Sequence, residues 1–335
     1  MMRKVYLILE NGEVFAGNSF GAKKEVSGHI IFNTNMMGYQ EIITDPVYAD
    51  CLVVITYPLI GACGINKTDN SSKTGAARAL IIKEYSTMVS NWQSVMSLSE
   101  FMKKKGIVGI EGIDTRYLTR YIADNGIIRG IITSNKSNKK NLIKKIQQDK
   151  DADIYRRVSC KKPYTSKPAK KTKKKAVVLD LGLNFQLLNW LADRGYNSKV
   201  VPIKTSAEKI LQEKPDIIVL SNGPGNPLEA GREVEKIKKL LGKKRILGFG
   251  LGSSILAMAI GAEPELLALP HYGFNKAVKD AASNKVRMTQ QEHRYTINTD
   301  SLDKDTKIVS YNLHDETLEA YANKKLKAEG YYYLP

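Results

Sequence analysis

A chain of 335 residues with 42% hydrophobic content can bury a sizeable core, and its length points to two domains. No apolar run approaches the roughly 20 residues that a membrane helix needs, and the three cysteines, Cys51, Cys63 and Cys160, are too scattered for a disulfide framework, a CxxC pair or a zinc spacing. The formal charge of +18 would suit nucleic acid, an acidic membrane or an acidic protein, yet much of it is scattered lysine.

The N-terminal "MMRKVYLILENGE" has an apolar core of only Val5 to Leu9 before Glu10, so it reads as a first strand rather than a signal peptide, and a cytoplasmic protein is expected. "KVYLILENGEVFAGNSFG" predicts a hairpin turning at Asn11-Gly12. "GHIIFNTN" and "CLVVITYPLIG" are further strands. "SLSEFMKKKG" predicts a helix capped by Ser97 or Ser99 and stopped at Gly106, and "DTRYLTRYIADNG" one capped by Asp114 and closed at Gly126. The first 155 residues thus read as a mixed α/β domain led by strands. Residues 156–175 read as a linker. Their "KKPYTSKPAKKTKKK", Lys161 to Lys175, carries eight lysines, two prolines and no acid, without apolar period or aromatic interleaving. Charge alone is weak support for a nucleic-acid tail.

From 176 to 335 strands and helices alternate: "KAVVLDLG", "NFQLLNWLADRG", "SKVVPI", "SAEKILQEKP", "DIIVLSNGPGNP", "EAGREVEKIKKLLG" and "KRILGFG". Fully apolar strands between helices predict a parallel sheet covered on both faces. Ligands bind such sheets beyond the carboxyl ends of the strands, where "SNGPGNP" and "GFGLGSS" fall.

With those turns located, the chain resembles the small subunit of carbamoyl-phosphate synthase over nearly its whole length. "FNTNMMGYQEIITDPVY", "ITYPLIGACGIN" and "GIEGIDTRYLTRYI" resemble that family's N-terminal domain, and "LSNGPGNP", "GFGLGSSILAMAIGA", "HYGFNKAVKD" and "NLHDETLEA" its class I glutamine amidotransferase domain, in order. The resemblance implies an α/β fold: the small-subunit N-terminal domain, which docks on a large subunit, plus an amidotransferase domain whose parallel-rich sheet is flanked by helices. It implies a cysteine on the strand–turn–helix elbow attacking glutamine, a histidine base oriented by a glutamate, and backbone N–H groups stabilising the oxyanion. Ammonia then passes to the large subunit, where ATP, magnesium and bicarbonate are expected; no cofactor or metal is expected on this chain.

The sequence departs where that chemistry should be. Gly250 stands at the nucleophile position, Leu334 at the base position, and no residue follows Pro335 to supply the acid. The pocket is altered as well. Val47 replaces a serine, Ser254 a glutamine, and Glu292-His293-Arg294 stands for N-H-G, so Arg294 would put a long cation, at a strained positive φ, into the space. Lys276 replaces a histidine in "HYGFNKA", which keeps His271, Gly273 and Asn275, and Asn184 replaces a lysine. Gly223, Gly225, Leu251 and Tyr295 match positions near the substrate, although the two glycines also suit a tight turn. Ser253 and Ser254, on the first helical turn, are expected to satisfy backbone donors rather than act as nucleophiles, and His293 and His314 would reach the site only through tertiary placement.

No glutaminase triad is therefore expected, and the altered pocket argues against L-glutamine binding. The leading expectation is a subunit that supports carbamoyl phosphate synthesis for pyrimidine or arginine biosynthesis without hydrolysing glutamine itself, bound to the large subunit and to neither membrane nor nucleic acid. Two alternatives stand beside it. One is a glutamine-hydrolysing subunit with an unusual nucleophile or a truncated C-terminus. The other is a non-catalytic regulatory or nucleic-acid-binding module.

Overall fold

The computed structural model describes residues 3–73, 77–148, 153–168 and 172–335. The chain divides into two compact units, Met1–Asp151 and Ala152–Pro335. Among the described residues no helix is long and apolar enough to cross a membrane.

The first unit is built on a closed barrel of seven strands. In spatial order these are Lys4–Leu9, Val14–Gly21, Val108–Glu111, Ala79–Ile81, Cys51–Ile55, Val26–Asn33 and Ile128–Thr133. The first two form the expected hairpin, with Lys4 opposite Asn18 and Ile8 opposite Val14. Alternation along the first strand fixes its faces. Val5, Leu7 and Leu9 join a core with Leu52, Val54, Ile81 and Ile110, while Ile8 packs with Ile131 and Ile146. The two expected helices form at Leu98–Lys105 and Thr115–Asn125. Ser97 caps the first in a reciprocal box with Glu100, and Gly106 ends it in the left-handed region. Asp114 caps the second through the Tyr117 N–H.

The second unit carries a ten-stranded sheet. Five strands are parallel neighbours in the order Asn197–Pro202, Lys175–Asp180, Ile217–Leu220, Arg245–Phe249 and Ala328–Tyr331. Helices Phe185–Asp193, Ala207–Gln212, Gly231–Lys238 and Leu251–Ala259 follow strands as the alternation predicts. Apolar residues on the two faces enter two separate cores: Val177, Leu179, Ile218 and Leu220 in one, Ala176, Val178, Ile217 and Val219 in the other. This is the double burial that continuous apolar strands require. Beyond Ala328–Tyr331 the sheet turns antiparallel through Leu318–Asn323, Thr306–Asn312 and the long hairpin Pro264–Asp280/Val286–Ile297.

The segment read as a linker, 156–175, contains regular structure. A short helix spans Ile154–Val158, and Tyr164–Ser166 adds an antiparallel edge strand beside Asn197–Pro202. Cys160 N–H donates to Asp180 Oδ2, fastening the segment to the sheet. Residues 169–171 of the lysine run lie outside the described residues.

Candidate functional site

The elbow forms where the sequence places it. Strand Arg245–Phe249 ends at Gly250, which has φ 49° and ψ −115°, and helix Leu251–Ala259 starts at the next residue. Its amide N–H donates to Tyr331 O at 2.9 Å, anchoring the turn to the neighbouring strand. The adjoining loop is held from below by Ser221, a fully buried residue whose Oγ accepts from Leu181 N–H and donates to Asn222 O.

Asn222 decides what the elbow can do. Its Oδ1 accepts from Gly223 N–H at 2.8 Å and from Leu251 N–H at 3.4 Å. Two backbone donors converging on one oxygen are the arrangement that stabilises an oxyanion. Here a protein carboxamide takes that place. A Cβ on residue 250 would overlap the same Asn222 oxygen. A side chain at residue 250 does not fit in this conformation.

A cleft of about 240 Å³ opens beside the elbow, lined among others by Asn184, Asn222, Gly250, Glu292, Tyr332 and Leu334. Asn184 caps helix Phe185–Asp193 by accepting from Leu187 N–H. Glu292 accepts from Gln290 Nε2 at 3.0 Å. Leu334 packs against the core that holds Phe249 and Leu247. The cleft thus assembles Gly250, Leu334 and Glu292.

The remaining positions are distributed differently. Val47 lies buried in the first unit, in the 3-10 turn Pro46–Tyr48, with its N–H donating to Asp45 Oδ1. Gly223 has no room for a side chain against the Leu181 carbonyl, and Gly225, at φ 110°, would press a Cβ on Ile154 Cγ2 at 2.9 Å. Both glycines are thus required by packing. Leu251 is buried and presents its N–H to Asn222. Tyr295 lies on strand Val286–Ile297, its carbonyl accepting from His293 Nδ1 at 2.9 Å.

Two expectations need correction. Arg294 is buried within strand Val286–Ile297, does not line the cleft and is not among the residues with positive φ, because the hairpin extends the backbone there. Ser253 and Ser254 do not satisfy helical donors. Ser254 Oγ pairs with Tyr332 OH at 2.8 Å, and Ser253 Oγ is buried without a partner. Tertiary packing sets this, since Ser253 Oγ lies against Gly330 of strand Ala328–Tyr331 and Ser254 Oγ meets Tyr332 just beyond it.

A second polar centre lies in the antiparallel part of the sheet. His271 and His293 are directly opposite in the hairpin register, with ring centroids 4.9 Å apart. Glu319, from the strand Leu318–Asn323, is fully buried beside both. His271 Nε2 contacts Asp315 Oδ2 at 2.8 Å and its Nδ1 contacts Glu319 Oε1 at 3.0 Å. Burial alone would lower the His271 pKa, but its bonds to Asp315 and Glu319 outweigh burial and the net shift is upward. The Tyr332 ring stacks on His293 at 4.5 Å, and burial drives its hydroxyl pKa far above the ordinary range. His314 is exposed in the turn after strand Thr306–Asn312.

Two features escaped the sequence reading. Asn222 sits inside the quoted "SNGPGNP", but the rotamer of its side chain has no sequence signature. The pairing of His271 with His293 was accessible in principle, because a hairpin joins the two motifs; Glu319 needed the sheet order.

Residues 7–132 match the carbamoyl-phosphate synthase small chain, CPSase domain, and residues 177–333 match glutamine amidotransferase class-I. The chain is 40% identical over its whole length to the carbamoyl phosphate synthase small chain of Oceanobacillus iheyensis, covering 91% of that protein. It is 39% identical to the corresponding chain of Listeria monocytogenes, with 100% of this chain and 92% of that one covered. It is also 39% identical to the carbamoyl phosphate synthase pyrimidine-specific small chain of Bacillus subtilis, with 98% and 90% covered. Two domains in the family's order and relatives of this identity along the full chain place the protein in the carbamoyl-phosphate synthase small-chain family, with a class I glutamine amidotransferase domain as its second half.

Proposed function

We propose that this chain serves carbamoyl phosphate synthesis as a subunit without glutaminase activity, bound to a large synthetase subunit that draws on free ammonia. One observation carries the reading. The two backbone donors at the elbow are taken by Asn222 Oδ1, at a turn where Gly250 offers no nucleophile. Loss of the nucleophile typically lowers turnover by about a million-fold in triad hydrolases. Glutamine hydrolysis at this elbow is then negligible, and binding of L-glutamine there competes with a tethered carboxamide.

The serines offer no substitute. Neither Ser253 nor Ser254 lines the cleft, and Ser254 is engaged with Tyr332. Large apolar side chains exposed in loops of the first unit, Met36, Met37, Met88 and Trp92, suit coverage by a partner protein. ATP, magnesium and bicarbonate are then handled by the large subunit. The relative named pyrimidine-specific motivates a role in pyrimidine supply; arginine supply is the other outlet for the same product.

The test is carbamoyl phosphate formation by the chain mixed with the large subunit from its own source, with glutamine and ammonium compared and the large subunit alone as control. Synthesis from ammonium only, raised by this chain, is expected. Synthesis from glutamine, or glutamate release by the isolated chain, overturns the reading.

A further inference from the structure

We propose that His271, His293 and Glu319 form a buried site for one divalent transition-metal ion of the zinc type, against the expectation of no metal on this chain. The three side chains each offer a ligand atom, and those atoms lie within 4.8 Å of one another. All three are at least nine-tenths buried. Two imidazoles and a carboxylate are the donor set that suits zinc.

The orientation of the rings supports the assignment. His293 turns Nδ1 outward to the Tyr295 carbonyl at 2.9 Å, which fixes its proton there and leaves the Nε2 lone pair facing inward. His271 turns Nε2 outward to the Asp315 carboxylate at 2.8 Å, which leaves Nδ1 facing inward. An outer nitrogen held by a carbonyl or a carboxylate is the arrangement found behind metal-bound histidines. Asn312 supports the same tautomer. Its Oδ1 accepts from His314 N–H, so its Nδ2 is the donor that faces His271 Nδ1 at 3.3 Å, Gln291 Oε1 at 3.2 Å and Glu319 Oε1 at 3.2 Å, a polarity compatible with a lone pair on Nδ1.

Two of the inward atoms are open to a cation, which at His271 Nδ1 would take the place of the proton shared with Glu319 Oε1. His271 Nδ1 and Glu319 Oε1 are 3.0 Å apart, and His293 Nε2 and Glu319 Oε2 are 3.5 Å apart. Both His293 Nε2 and Glu319 Oε2 are buried without a hydrogen-bond partner. Orphaned buried atoms of this kind are costly. Bonds of about 2.0–2.2 Å to one ion would separate neighbouring ligands by about 3.0–3.5 Å, spanning six- to four-coordinate geometry. Such an ion would clip the hairpin to strand Leu318–Asn323 and sit behind Tyr332, which reaches the elbow helix through Ser254.

The experiment uses the full chain, stripped with a chelator and titrated with Zn²⁺ and Co²⁺. Binding of about one equivalent, a rise in Tm of several degrees, and cobalt ligand-field bands without a thiolate charge-transfer band are expected. His271→Gln and His293→Gln should each weaken Zn²⁺ binding by more than the about 10–100-fold that loss of an outer-shell partner costs, Asp315→Asn by about that amount, and His314→Ala not at all. If the histidine variants do not fold, the cobalt spectrum of the unaltered chain decides. A thiolate band would place the metal on cysteine and overturn the proposal, as would absence of binding and of any Tm shift.

Discussion

The side chain of Asn222 occupies the volume that a Cβ at residue 250 would claim, and its oxygen accepts from Gly223 N–H and Leu251 N–H. Gly250 and this rotamer of Asn222 therefore depend on one another. Gly250→Cys alone should not create a glutaminase. It should also destabilise the chain by about 1–3 kcal/mol, since the backbone at φ 49° and ψ −115° disfavours a side chain even without the overlap. Glutamate release and denaturant midpoints measure the two effects.

Removing the Asn222 side chain tests the same coupling from the other partner. Asn222→Ala takes the acceptor from Gly223 N–H and Leu251 N–H, at a cost of about 0.5–1.5 kcal/mol. In the background of Gly250→Cys it also removes the clash. The double variant should be more stable than the sum of the single losses allows, and a double-mutant cycle reads that difference.

Gly225 gives a prediction about architecture. At φ 110°, with Ile154 Cγ2 in the path of a Cβ, Gly225→Ala should cost more than about 1 kcal/mol. Ammonium-dependent synthesis by the complex should persist under conditions where the variant remains folded, since on the proposed reading this loop does not take part in turnover.

The acid limb of stability should depend on Glu329. Its carboxylate accepts from Arg245 Nε at 2.8 Å and Nη2 at 2.9 Å, across neighbouring parallel strands, and from Tyr331 OH. Burial raises its pKa, but these hydrogen bonds outweigh burial and the net shift is downward. A carboxylate with a depressed folded pKa contributes fully above its unfolded value, about 4.3, and the contribution fades as pH falls through the folded pKa. Glu329→Gln should lower stability near neutral pH by no more than about 1 kcal/mol, and the gap to the unaltered chain should close below pH ~4. Unfolding free energies across that range measure it.

At the first unit, Ser97→Ala should cost about 1 kcal/mol, because it removes the acceptor of Glu100 N–H and one half of the reciprocal cap. Hydrogen exchange localised to Leu98–Lys105 would show whether the loss begins at that helix end.

Periodicity, caps and glycine turns determined most of the elements by themselves. Leu98–Lys105 is delimited by Ser97 and Gly106, and the strand Ile217–Leu220 is continuous apolar sequence because both its faces are covered. The absence of a side chain at Gly250 was equally legible, being a matter of residue identity. Only the tertiary structure decided four other matters. Tyr164–Ser166 became an edge strand despite its lysine-rich surroundings, because Asn197–Pro202 offers it backbone partners, and such hydrogen bonds do not depend on composition. Arg294 became a buried strand residue because the hairpin register, not local preference, sets its backbone. Asn222 entered the space at the elbow, and Glu319 came to lie between two histidines, through contacts between segments far apart in the chain. Local patterns encode which element a residue joins; which side chain fills a shared volume is settled only when the elements pack.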